Sequence, residues 1–146
     1  MKKTLLIIGL LFTIIFSVNA QENSKNTIGI RFGNNLDVGG EISYQRLLNT
    51  SHRLEINVGF KYNDLSSISA IGLYQWVFEL DNNFNWYVGA GFGNASSTFL
   101  GVGTLGVEYN FDIPLLISLD IRPQITLNRP SGIYDSDLAF SFRYQF

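Results

Sequence analysis

The chain has 146 residues, ten Lys and Arg against twelve Asp and Glu, and no cysteine. That balance leaves no basic footprint for nucleic acid, and the missing cysteine excludes disulfides and a lipidated cysteine anchor. Yet 46% of the residues are hydrophobic and 14% aromatic, so a chain of one-domain length has much apolar surface to place.

Lys2 and Lys3 precede an apolar run over 5–16, and Val18-Asn19-Ala20 follows as a small-x-small cleavage site. Charge, apolar core and small residues in that order predict a cleaved secretory signal over 1–20. The run is twelve residues long, short of the roughly 20 that a spanning helix needs. A single mature domain, 21–146, is expected to begin at Gln21. It keeps eight basic residues against twelve acidic ones.

From there the pattern has period two. The segment 27–33 sets Ile28, Ile30 and Phe32 on one side, and 38–47 sets Val38, Ile42 and Tyr44 there. The segment 53–63 is the cleanest. Leu54, Ile56, Val58, Phe60 and Tyr62 alternate with Arg53, Glu55, Asn57, Gly59 and Lys61. Such alternation is the mark of a strand with two unlike faces. In 68–80 it is weaker, with Tyr74, Trp76 and Phe78 opposite Gln75 and Glu79. It returns in 84–93 with Phe84, Trp86, Val88, Ala90 and Phe92, and in 99–111 with Phe99, Leu105, Val107, Tyr109 and Phe111. The last two strands are 115–127, with Leu115, Ile117, Leu119, Ile121 and Ile125, and 138–146, with Leu138, Phe140, Phe142, Tyr144 and Phe146. Clusters such as Asn49-Thr50-Ser51, Asn63-Asp64 and Asp81-Asn82-Asn83 punctuate them as turns. The connections are too short for crossover helices. The expected fold is all-β, an eight-stranded antiparallel up-and-down transmembrane β-barrel.

Bulk decides which face is inside. An eight-stranded lumen is only wide enough for side chains to fill, and it has no room for so many Phe, Tyr, Trp and Leu residues. The opposite face carries Gly29, Gly59, Gly89, Gly91, Gly93, Ser43, Ser118 and Ser141, with Gln45, Gln75, Gln124 and Gln145. It also carries Arg31, Arg53, Lys61, Arg122 and Arg143 against Glu41, Glu55, Glu79, Glu108 and Asp120. The polar face is therefore predicted to look inward and the bulky face toward lipid. Five acids balance five bases there, and the remaining charges, Asp137 among them, fall in the tail, turns or loops. Arg46 alone lands on the lipid face, at a strand end where it can snorkel.

An even strand number puts both termini at one end, expected to be periplasmic. Tyr44, Trp76, Trp86, Tyr109 and Tyr144 then make one aromatic girdle, and Phe32, Tyr62, Phe92 and Phe99 the outer one. Pro123 cannot donate to a ladder, so it is expected near the outer rim or at a bulge.

Little in the sequence carries chemistry. His52 is the one histidine, expected as a solvated residue beside a periplasmic turn. One histidine and no cysteine give no metal cluster. Glu108 and Asp120 could imitate an acid–base pair, but buried charges must be paired, and Arg122 and Arg143 are the expected partners. Gly89-x-Gly91-x-Gly93 and Gly101-x-Gly103 precede no helix, so they are not read as phosphate loops. They suggest barrel curvature, or a hollow at the outer end of strands five and six. Asn94-Ala95-Ser96 matches a glycosylation sequon that short chains meet by chance. No catalytic, cofactor or metal site is assigned, and no enzyme is expected.

The mature chain resembles the small outer-membrane β-barrel family, which includes the transmembrane domain of outer membrane protein A and outer membrane protein X. The stretch from Gly106 to Pro123 looks like a hairpin of such barrels in Bacteroidetes-type bacteria. Phe140-Ser-Phe-Arg-Tyr-Gln-Phe146 resembles the terminal signal read by the barrel assembly machinery. The resemblance implies an outer-membrane address, membrane lipids and that machinery as partners, and a monomer. It implies a structural or surface-interaction role, or else a barrel that binds small molecules or lipid or passes apolar solutes.

Overall fold

The computed structural model describes residues 24–34, 40–61, 64–95, 97–128 and 134–146, with the side chains of 61, 64–67 and 134 left aside. The expected signal segment and Tyr62 lie outside the described residues. Eight strands form: β1 (Asn26–Gly33), β2 (Gly40–Leu47), β3 (His52–Lys61), β4 (Asp64–Asp81), β5 (Phe84–Ala95), β6 (Thr98–Asn110), β7 (Leu115–Thr126) and β8 (Tyr134–Gln145). Each pairs antiparallel with the next, and β8 returns to β1 to close the barrel. The closing seam runs from Thr27↔Gln145 to Gly33↔Ala139. It is tied off where Asn26 and Phe146 exchange backbone hydrogen bonds of 3.1 and 2.9 Å. The two ends of the described chain therefore lie together, at the terminal end of the barrel. The opposite end is distal.

Every segment of alternating sequence is a strand, and two begin four residues earlier than expected. β4 starts at Asp64, and Asp64 pairs with Lys61 across a register shift. β8 starts at Tyr134, four residues before Leu138. The alternation holds across the wall. Ile30, Ile42, Ile56, Phe78, Leu105, Leu119, Ile121 and Phe142 stand on the outer face, each 42–54% exposed. Arg31, Ser43, Gln45, Glu55, Gln75, Ser118, Arg122 and Arg143 are buried within. This inverts a water-soluble barrel and is the arrangement of a transmembrane one.

The lumen is not uniformly polar. Ile71, Leu73 and Val102 form a small apolar cluster inside, with Leu100 against it. Tyr87 is fully buried, and it lies across from Gly106 in the β5–β6 register. A Cβ at Gly106 would stand 2.5 Å from the Tyr87 ring, so the ring lies directly over the glycine backbone. Such an aromatic over a cross-strand glycine pins register and strengthens curvature. Gly106→Val should displace that ring and lower stability by about 1–3 kcal/mol, read as an earlier urea-unfolding midpoint. Tyr87→Phe, which removes only the hydroxyl, should cost about 1 kcal/mol.

Pro123 lies near the distal rim, three residues from the end of β7, and not at a bulge. The β6–β7 register is the same on both sides of it, from Leu105↔Ile121 to Val102↔Gln124. The pairing with β8 continues through Pro123↔Ser136. Only the β6–β7 pairs at that level are missing, so the absent N–H falls on the β6 side. Gly103 is the residue opposite, and a Cβ there would lie 3.2 Å from the proline ring. The glycine makes room for a proline inside the wall.

Candidate functional site: the charged lumen

All eight strands send polar side chains into one network. At its terminal end Arg53 of β3 meets Glu108 of β6 at 2.6 Å. The Arg53 Nε donates to the Gln75 Oε1 at 2.5 Å, and the Gln75 Nε2 donates onward to Glu55 at 2.8 Å. A single amide thus joins a guanidinium to a carboxylate.

Glu55 is the hub. Gln45 and Asn57 each donate to it at 2.8 Å. Arg122 of β7 reaches it at 3.3 Å and Arg143 of β8 at 3.5 Å. Arg143 also donates to Ser118 at 2.6 Å and Ser43 at 3.2 Å. Toward the distal end Arg122 pairs with Glu41 of β2 at 2.8 Å, and Glu41 accepts from Arg31 of β1 at 3.3 Å. Arg31 binds Asp120 at 2.7 Å and also pairs with Asp137. The Tyr87 hydroxyl of β5 donates to Asp120 at 3.2 Å. A continuous chain of contacts thus runs from Glu108 to Asp137.

Several expectations change. Glu108 and Asp120 do not pair with Arg122 and Arg143. Their partners are Arg53 and Arg31, because tilt and stagger bring side chains of distant strands to one height. Asp137 is not a loop residue. The longer β8 carries it inward, where it is 4% exposed. Glu79 lies at the exposed end of β4 rather than in the lumen. Among the described residues, the buried charges are then four arginines and five carboxylates. His52 is not a solvated turn residue. It is the first residue of β3, half-buried on the outer face. Its Nδ1 lies 2.9 Å from the Tyr74 hydroxyl, and its ring lies edge-on to Trp76. It belongs to the aromatic belt at the terminal end. Among the described residues, no group of three or more His, Cys, Asp or Glu is placed to hold a metal.

Two cavities flank the network. The distal hollow, about 60 Å³, is lined by Arg31, Glu41, Ile71, Ala95, Leu100 and Asp137 among others. It touches the distal ends of β5 and β6, where the glycine-rich stretches suggested a hollow. The terminal cavity is larger, about 160 Å³, with Arg53 and Glu108 in its wall.

Comparison with solved structures places this architecture. The N-terminal β-barrel domain of Pseudomonas aeruginosa OprF superposes with a TM-score of 0.66 over 85% of this chain and 100% of that one, at 14% identity. The fold is that of the small outer-membrane β-barrels. A de novo designed transmembrane β-barrel is equally similar, with a TM-score of 0.65, 14% identity, and coverage of 86% of this chain and 98% of that one. The Yersinia pestis outer membrane protein Ail matches with a TM-score of 0.54 at 12% identity, covering 85% of this chain and 100% of that one. No known family pattern and no curated protein matches the sequence.

Proposed function

We propose that this barrel resides in the bacterial outer membrane and serves a structural or surface-interaction role, with its lumen closed by paired charges and no reaction of its own. The observation that carries this reading is the union of two faces. Outside is a belt of exposed Ile, Leu and Phe. Inside, every arginine guanidinium among the described buried residues is engaged with a carboxylate. An ion-selective pore concentrates one sign of charge in rings, and here both signs interlock. The resemblance to OprF and Ail supports the address. In this reading the terminal end faces the periplasm, residues 1–20 are removed on export, lipids and the assembly machinery are the partners, and the barrel is monomeric.

The alternative, a barrel that binds small molecules or lipid, looks to the distal hollow. At about 60 Å³ that hollow is far below the roughly 300–1,000 Å³ of a ligand pocket, so the closed reading is preferred. Planar-bilayer recording of the purified protein should show no steady conductance steps. The protein should fractionate with outer membranes, with Gln21 as its first residue. Reproducible single-channel openings would overturn the closed lumen, and recovery from the soluble periplasm would overturn the address.

A further inference from the structure

The terminal cavity has in its wall a buried guanidinium nitrogen that no acceptor satisfies. Arg53 is 3% exposed, and its Nη1 binds Glu108 while its Nε binds Gln75. Its Nη2 has no hydrogen-bond partner although it is buried. A buried guanidinium nitrogen without an acceptor is costly. Glu108 accepts from the Arg53 Nη1 through one oxygen and from the Asn85 amide, at 3.2 Å, through the other, and neither oxygen reaches the Arg53 Nη2. Tyr87 lies under the guanidinium, 4.5 Å from ring centre to Cζ, and offers a π face rather than an acceptor. Lys25, exposed, stands in the wall of the same cavity. Leu47, Val77 and Leu116 supply apolar wall.

The geometry points to a binding site for a small oxyanion, a carboxylate or phosphate, inside the terminal end of the barrel. The Arg53 Nη2 is the anchoring donor and Lys25 the second charge. The charged residues in the pocket's wall are Arg53 and Lys25 against Glu108, a net positive charge. The pocket therefore prefers an anion to a cation. Its volume of about 160 Å³ suits a ligand of a few heavy atoms rather than a sugar or a lipid. A guanidinium holding Glu108 with one nitrogen can still present the other to an oxyanion, which a lysine ammonium does less well.

The test uses the mature protein folded in maltoside micelles, which contain no phosphate or carboxylate. Sodium phosphate and sodium acetate are titrated against sodium chloride at matched ionic strength. The Arg53 side-chain Nε–H resonance and the Thr27 and Asn85 amides are followed by NMR. The expected result is a saturable shift with phosphate or acetate and none with chloride. Arg53→Lys, which keeps a cation beside Glu108 and removes the spare nitrogen, should weaken binding by about tenfold. Lys25→Gln changes an exposed residue that does not hold the fold, and should weaken binding by about two- to fivefold. It keeps the proposal testable if Arg53→Lys does not fold. Linear unsaturated shifts, an equal response to chloride, or saturable binding that survives both substitutions would overturn the site.

Discussion

Glu55→Leu should be the most damaging single substitution in the lumen. Glu55 is 1% exposed and accepts from Gln45, Asn57 and Gln75 while facing Arg122 and Arg143. Leucine would fill much of its space but accept nothing. Arg143 would keep only the hydroxyls of Ser118 and Ser43, and Arg122 only Glu41. Removing one member of a buried ionic cluster costs about 3–5 kcal/mol, because the partners remain as uncompensated charge. Val58→Leu, three residues on and facing outward, should change stability by no more than about 0.5 kcal/mol. The check is a urea titration of both variants folded into lipid vesicles, read by the mobility of folded and unfolded bands. Equal midpoints would remove Glu55 from the centre of the network.

Ile121→Arg should be nearly as costly, for a reason outside the protein. Ile121 lies near the middle of β7 and is 48% exposed on the outer face. On a water-soluble barrel, an arginine there would be harmless. On a barrel solvated by lipid it should cost about 2–4 kcal/mol, falling to about 0–1 toward the interface. Phe111→Arg, just past the end of β6 and 39% exposed, is the matched rim control. The wild type already has Arg46 exposed near the end of β2, where its head can reach the headgroups. A folding free energy measured in vesicles should therefore separate the two variants. Equal costs at Ile121 and Phe111 would remove lipid as the solvent of this face.

The strands were legible because both solvents act on every second residue. Where one face relaxes its demand, the signal fades. In β4, Ile71 and Leu73 turn inward while Ala70 and Gly72 turn outward, so the apolar pattern no longer marks a side. Asp137 was hidden in Asp135-Ser136-Asp137, which reads as a turn. Only the pairing with β7, Arg122↔Asp137, shows that it lies on the barrel wall. That charges would face inward and be paired followed from alternation and solvation. Which arginine meets which carboxylate did not. Arg53 and Glu108 belong to β3 and β6, strands that are not neighbours. Their meeting depends on stagger around a closed wall, which no local window contains. Pro123 illustrates a rule outweighed by its surroundings. The missing donor was readable, but Gly103 opposite it became meaningful only once the two strands were paired.

The seam between β1 and β8 bears on how the molecule comes into being. Its pairs, such as Ile28↔Tyr144 and Phe32↔Phe140, join the most distant parts of the sequence, while every other strand pair joins neighbours in chain order. The hairpins can zip as they are delivered, but this one contact must wait for the last strand. Until then β1 presents one open edge and β7 the other, each a row of unpaired donors and acceptors ready to capture a foreign strand. Arg143 arrives on that same last strand, so the lumen's hub also remains short of a cation until closure. The final strand thus closes the wall and brings Arg143 to Glu55 and Asp137 to Arg31 in a single event, and whatever escorts the nascent chain must shield the two open edges until then.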